Sequence, residues 1–239
     1  MRAAKPRRVG LVSYVLTNDV VEGWPGHHQE VRQAMAEVDC DVYVTSVFPR
    51  AARSSALGEQ SPPKPGPLAL EGTYSGSGER TVAIRCRGSD DGLVTERAVP
   101  GKPGDRVDAR QEFSEDELPR RLVHDGVFLL IEREINLLTL TRSGGGGCQE
   151  VLPISAFLIE HDVSLVAHTA AKNLRRWETN PKRAWLSRGR RLVVGVWSWN
   201  TTGHAEPKVP WRAFFDGAPR YANEITGLPY ARLGTVDIP

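Results

Sequence analysis

The chain has little cysteine, almost no net charge and no long apolar run, and each shortage closes off a class of function. Three cysteines, Cys40, Cys86 and Cys148, are spread over 239 residues. No two of them stand in a CxxC or CxxxxC spacing, which argues against both a structural zinc site and a disulfide framework. Reduced thiols suit the cytoplasm, which is the expected location. The 31 basic and 29 acidic side chains leave a net charge of +2, without the basic excess of a dedicated nucleic-acid binder. No stretch of about 18 apolar residues occurs, so no membrane span is expected. Arg2, Lys5, Arg7 and Arg8 lead into an apolar run shorter than the core of a secretory signal.

What is present suits an α/β fold. At 40% hydrophobic and 25% charged residues, a chain of this length buries a core without a metal or disulfide staple. Val9 to Leu16 is a compact apolar run and predicts a buried strand. Val31, Met35 and Val38 are spaced as one helix face over 27–38. Asp41 to Val47 alternates and is β-branched, which predicts a second strand. Strand, helix, strand is the βαβ unit of a Rossmann-like parallel sheet. Thr81 to Cys86 and Leu93 to Val99 read as a hairpin around Asp90-Asp91-Gly92. Ser114 and Glu117 have the spacing of a capping box, which predicts a helix start. Val127 to Ile131, Val163 to Ala167 and Arg191 to Trp199 read as further strands, with helices over 151–159 and 170–178. Residues 51–78 hold Pro62, Pro63, Pro65 and Pro67 and read as a loop or insertion. Residues 200–239 read as an irregular tail that docks its aromatic rings on the surface. The expectation is one α/β domain over 1–239: a mainly parallel central sheet with flanking helices, a β-rich middle excursion and an irregular C-terminal tail.

Three constellations bear on chemistry. In the first, a glycine run in TRSGGGGC precedes Cys148, and a helix is expected after it. A thiol at a helix N-terminus is acidified by the dipole and by free backbone N–H groups, which also suit an oxyanion. His161 and His168 lie downstream as candidate bases. The alternative is a plain glycine linker beside an inert half-buried thiol. The same loop, with Gly146, Gly147 and Arg142, offers donors to an anion, although the Lys-Ser/Thr of a P-loop is missing. The second constellation is the segment 172–191. There Arg175, Arg176, Lys182 and Arg183 interleave with Trp177 and Trp185, a pattern fit for a nucleic acid or another anionic partner. Against the near-neutral total charge, the favoured reading is a solvated helix face and loop with inward-packed tryptophans. The third comprises His27–His28 and the His204-Ala205-Glu206 triplet. Neither has the further ligands a metal needs, and the triplet lacks the downstream cysteines of a zinc deaminase. No metal and no cofactor is expected.

The stretch CQEVLPISAFLIEHDVSLVAHTA, from Cys148 to Ala170, resembles the nucleophile segment of the class I glutamine amidotransferase-like superfamily. The intracellular-protease and deglycase-like branch is the nearer comparison. The opening VGLVSYVL and the helix carrying Glu30 resemble that fold's first strand and helix. The resemblance implies Cys148 as nucleophile, His168 as base and Glu30 as a carboxylate near the thiol. It departs at Glu150, where the pattern has glycine, and residues 51–147 match nothing in it. The reading that follows is a cysteine-dependent hydrolase or lyase acting on a small molecule or peptide. Its rivals are a binding protein using segment 172–191 and, from GLVSY…GWPGHHQEVRQAM, which is similar to retaining glycosyltransferases, a nucleotide-sugar-dependent transferase.

Overall fold

The computed structural model describes residues 6–15, 24–47, 68–74, 80–85, 92–96, 106–124, 126–142, 148–150, 154–171, 176–198, 209–228 and 230–239. Two sheets face each other. The first has seven strands: β1 (Arg8–Tyr14), β2 (Val42–Thr45), β3 (Leu68–Tyr74), β4 (Arg80–Arg85), β5 (Gly92–Thr95), β14 (Asn223–Leu228) and β15 (Ala231–Asp237), in the order β14-β15-β1-β2-β3-β4-β5. The second has six: β6 (Leu122–His124), β7 (Val127–Ile131), β10 (Leu165–Ala170), β11 (Leu192–Trp197), β12 (Trp211–Phe215) and β13 (Ala218–Arg220), in the order β13-β12-β11-β10-β7-β6. A two-stranded hairpin, β8 (Leu140–Arg142) with β9 (Cys148–Glu150), stands apart. The helices are α1 (Trp24–Glu37), α2 (Arg106–Glu112), α3 (Ile154–Glu160) and α4 (Arg176–Leu186).

Strand alternation explains the layering, because successive side chains point to opposite faces. Val9 and Leu11 of β1 and Val42 and Val44 of β2 share one cluster with Val127, Leu129 and Ile131 of β7 and Leu165 and Ala167 of β10. That cluster fills the space between the sheets. The intervening residues face outward under helices. Val12, Tyr14 and Tyr43 meet Val31 and Met35 of α1, while Phe128, Leu130 and Val166 meet Phe113, Ile154, Leu158 and Leu186. The order is helix, sheet, sheet, helices, and the strands buried on both faces are mostly apolar.

The α/β class stands, with a correction: both sheets are mixed rather than mainly parallel. β1, β2 and β3 run parallel, as do β7, β10 and β11. Antiparallel strands flank each trio. A Rossmann-like single parallel sheet is therefore not the architecture. The tail is not irregular either. β12 and β13 extend the second sheet, and β15 crosses back to pair along all of β1, from Arg8↔Asp237 to Tyr14↔Ala231. Within 51–78, residues 68–74 form β3, parallel to β2. Ser114 caps no helix. It sits in a wide turn, Phe113–Glu117, that continues α2. The second helix of the 151–178 region begins at Arg176, because β10 holds the chain extended to Ala170.

Candidate functional site

The parallel strands of both sheets end on the same side, and hydrogen bonds join those ends across the sandwich. Ser13 Oγ donates to the Trp197 carbonyl at 2.7 Å, Val47 N to the Ala170 carbonyl at 3.1 Å, and Ser198 Oγ to the Val47 carbonyl at 2.6 Å. The crevice at the carboxyl ends of parallel strands is where open α/β sheets bind ligands.

At this edge β7 ends abruptly. Ile131 is extended, at φ −119° and ψ 127°. The next residue, Glu132, has φ +48°, a left-handed conformation that a side chain bearing a Cβ enters at a cost of about 1–2 kcal/mol. A tight turn over Glu132–Asn136 follows. Such a strand-to-turn kink is how a hydrolase presents a reactive side chain above its sheet, and strained backbone collects at functional sites.

Glu132 is buried, and β10 grips it twice. Its carboxylate Oε1 accepts the backbone N–H of Ala171, and its carbonyl accepts Nε2 of His168 at 2.7 Å. Two residues on, the buried Glu134 accepts Ile131 N at 2.9 Å through Oε2, and through Oε1 it meets Arg121 Nη2 at 2.5 Å. Arg121 is also fully buried, and its Nη2 donates to the Thr95 carbonyl at 3.0 Å. A buried ion pair adds little net stability, but removing one partner strands the other. The arrangement locks the kink from below.

His168 lies on the outward face of β10, opposite Leu130 and Gly195. Arg183 Nη2 reaches its Nδ1 at 3.1 Å. A guanidinium only donates, so Nδ1 accepts and Nε2 carries the proton it gives to Glu132. Burial, and then the Arg183 charge, push the imidazole down to about 3, so it is neutral near pH 7. Burial likewise lowers Arg183 to about 9, with the Arg212 charge adding to the effect. Arg183 fits because position 195 is glycine. A Cβ there would lie 2.6 Å from Arg183 Nε.

The expected triad is not brought together. Cys148 opens strand β9 opposite Arg142 rather than a helix, and α3 begins only at Ile154. The helix-dipole argument for its thiol therefore fails. The side chains of Cys148 and Arg142, and Gly146 and Gly147 altogether, lie outside the described residues. His168 has no lone pair left to take a proton, since Arg183 occupies Nδ1. Glu30 is exposed on α1, outside the seven-stranded sheet. His168 is outside the six-stranded one, so both sheets lie between them. The described part of segment 172–191 does not present both of its candidate cations as a free face. Arg183 is buried, Lys182 Nζ holds Asn136 Oδ1 at 3.3 Å, and Trp185 Nε1 donates to Glu150 at 3.3 Å. Arg175 and the Arg176 side chain lie outside the described residues. Among the described residues no group of three metal-ligating side chains occurs, and no helix is long and apolar enough to cross a membrane.

Glu132, Glu134 and Arg121 escaped the reading of the sequence, although a signal was there. In VFLLIEREINLL two acids interrupt a run that is apolar on both sides. Carboxylates so placed are buried and need partners.

No protein-family model matches the chain, and no curated protein is similar to it in sequence. Solved structures share its fold. The glutamine-dependent NAD+ synthetase of Acinetobacter baumannii superposes with a TM-score of 0.54 at 12% identity over 98% of this chain and 46% of its own. This chain thus spans less than half of that protein. XC1258 of Xanthomonas campestris, a CN-hydrolase superfamily protein with an arsenic adduct in its active site, gives 0.52 at 9%, over 98% and 91%. A mutant amidase of the nitrilase superfamily from Nesterenkonia gives 0.53 at 10%, over 98% and 90%. Another mutant of that amidase carries an acetamide moiety on its active-site cysteine (TM-score 0.51, 10% identity, 97% and 90%). At these identities the likeness is one of fold. It overturns the resemblance to the class I glutamine amidotransferase-like superfamily, because the neighbours belong to a different one, the CN-hydrolases.

Proposed function

We propose that the protein is a small-molecule hydrolase that cleaves a carbon–nitrogen bond at the carboxyl ends of its parallel strands, with the Glu132 carboxylate at the centre of the site. One observation carries the reading: an acid, buried and in left-handed backbone, stands at the kink that ends the parallel strand β7. The amidases and the glutamine-dependent synthetase that share the fold support an amide as the substrate class. Glu132 would take a proton from water as the water oxygen attacks the amide carbon. The proton then passes to the departing nitrogen, leaving a carboxylic acid and ammonia or an amine. The Ala171 N–H orients the carboxylate for this step.

A second reading keeps Cys148 as a covalent nucleophile. The covalent acetamide on the cysteine of the Nesterenkonia amidase favours it. So does Glu150, which ties the Cys148 strand to α3 and α4 through Ser155 N and Trp185 Nε1. Ammonia release from a panel of primary amides separates the two. In the first reading Glu132→Gln loses about 100-fold or more in kcat and Cys148→Ser keeps its rate. The reverse pattern, with an acyl adduct on Cys148 by mass spectrometry, installs the thiol instead. Amide binding without ammonia release makes the site a receptor rather than an enzyme.

A further inference from the structure

The buried imidazole that fails as a base has another use in the geometry. His168 and Arg183 sit on different elements, β10 and α4, and both are sealed from solvent. Arg183 spends Nη1 on Thr179 Oγ1 at 3.2 Å and Asn180 Oδ1 at 3.3 Å, and Nη2 on His168. Its Nε has no partner among the described residues. A buried guanidinium bonded mainly to neutral groups is costly, and here it satisfies the second nitrogen of a buried imidazole, so that both ring nitrogens are committed. Their result is a single hydrogen bond to the carbonyl of the one residue that leaves β7 in left-handed backbone.

We infer that His168 and Arg183 are positioning residues for Glu132: Arg183 fixes the imidazole tautomer whose Nε2–H holds the Glu132 carbonyl, and this keeps the kink, and with it the carboxylate, in place. The inference deepens the proposed hydrolase reading and rests on it for its catalytic consequence. The structural part stands by itself. With the carbonyl held by His168 and the carboxylate by Ala171 N–H, the residue is clamped at both ends against one strand. Free rotation of the peptide between Glu132 and Arg133 would swing the carboxylate away. Misplacing a catalytic group by about 1 Å costs on the order of 100-fold in rate.

Two measurements on the full chain test this. The first is NMR of protein carrying 15N-labelled histidine. The expected result is one His168 tautomer with the proton on Nε2, unchanged between pH 8 and about pH 4.5. In Arg183→Met a mixed tautomer or a titrating ring is expected. A proton on Nδ1 in the wild type, or no change in Arg183→Met, overturns the inference. The second compares His168→Gln, whose amide can still donate from the Nε2 position, with His168→Leu, which cannot. Leu should speed hydrogen exchange at the Ala171 amide about tenfold or more relative to Gln at matched global stability, and equal exchange overturns the inference. Where the wild type releases ammonia from a primary amide, Leu should cut kcat on the order of 100-fold with KM nearly unchanged, and Gln should restore most of it. Should His168→Leu fail to fold, Arg183→Lys against Arg183→Met takes its place in the exchange experiment. If the wild type releases no ammonia, the hydrolase reading fails, while tautomer and exchange still decide the positioning role.

Discussion

The two ends of the sandwich solve the same problem, tying parallel strands together, in opposite ways. At the amino ends Asp41 accepts Arg7 N at 2.7 Å and Arg8 N at 2.8 Å, and Arg8 pairs with Asp237 at 2.7 Å. The Arg8 and Asp237 side chains are 48% and 61% exposed, so water screens what they contribute. At the carboxyl ends the polar groups are sealed: Glu132, Glu134, Arg121, His168 and Arg183 are all buried. The first sheet's amino end uses surface bonds, while the second sheet's holds the buried Arg191, whose Nε donates to the Leu186 carbonyl at 2.9 Å. The carboxyl end gathers its buried charge into one network at the left-handed Glu132, whereas Asp162 and Arg190, also left-handed, stand exposed ahead of β10 and β11.

That comparison can be attacked from its strongest point downward. Replacing Arg121 by Ala should destabilise the protein by about 3–5 kcal/mol in urea denaturation, because Glu134 is left buried without its cation. A loss no larger than that of a surface substitution would erase the difference between the ends. Acid is the second probe. The folded protein holds His168 at about 3 against 6.5 for the free side chain. Between those values the unfolded chain binds one more proton, so stability is fully present above about pH 6.5 and falls as pH drops toward 3. The slope from this residue is about 1.4 kcal/mol per pH unit. His168→Gln should flatten that acid limb in denaturation curves taken from pH 7 to 4.5. An unchanged limb would mean that the imidazole charges in the folded state. Third, Gly195→Ala pushes a methyl group against Arg183 and should cost about 1–3 kcal/mol, together with a shift of the His168 resonances. The smallest effect belongs to the other end. Arg8→Ala should leave the denaturation midpoint unchanged, and added salt should not alter that result.

Much of the fold was legible because its signals are local. Strands β1, β2, β7 and β11 are apolar runs that nothing else accommodates, and Pro153 stands just ahead of α3. The tail was misread because β12 to β15 hold no continuous apolar run; β15 becomes a strand by pairing with β1, at the other end of the chain, and β12 by pairing with β11. The buried acid cluster is less conspicuous than Cys148, which follows a glycine run, and shows in the sequence only as two acids, Glu132 and Glu134, set within an apolar run.

The order of residues by itself decided which segments are apolar on both faces, and hence that the chain must be layered, since such strands can lie only between other layers. It also decided that acids would be trapped beside β7. Only the tertiary structure decided which groups meet. The pairing of His168 with Arg183 and Glu132 follows from sheet register and from the glycine at position 195, which lets a helix side chain descend onto the sheet. Contacts between residues 15 to 36 positions apart carry no periodicity along the chain, and so no pattern of spacing could announce them.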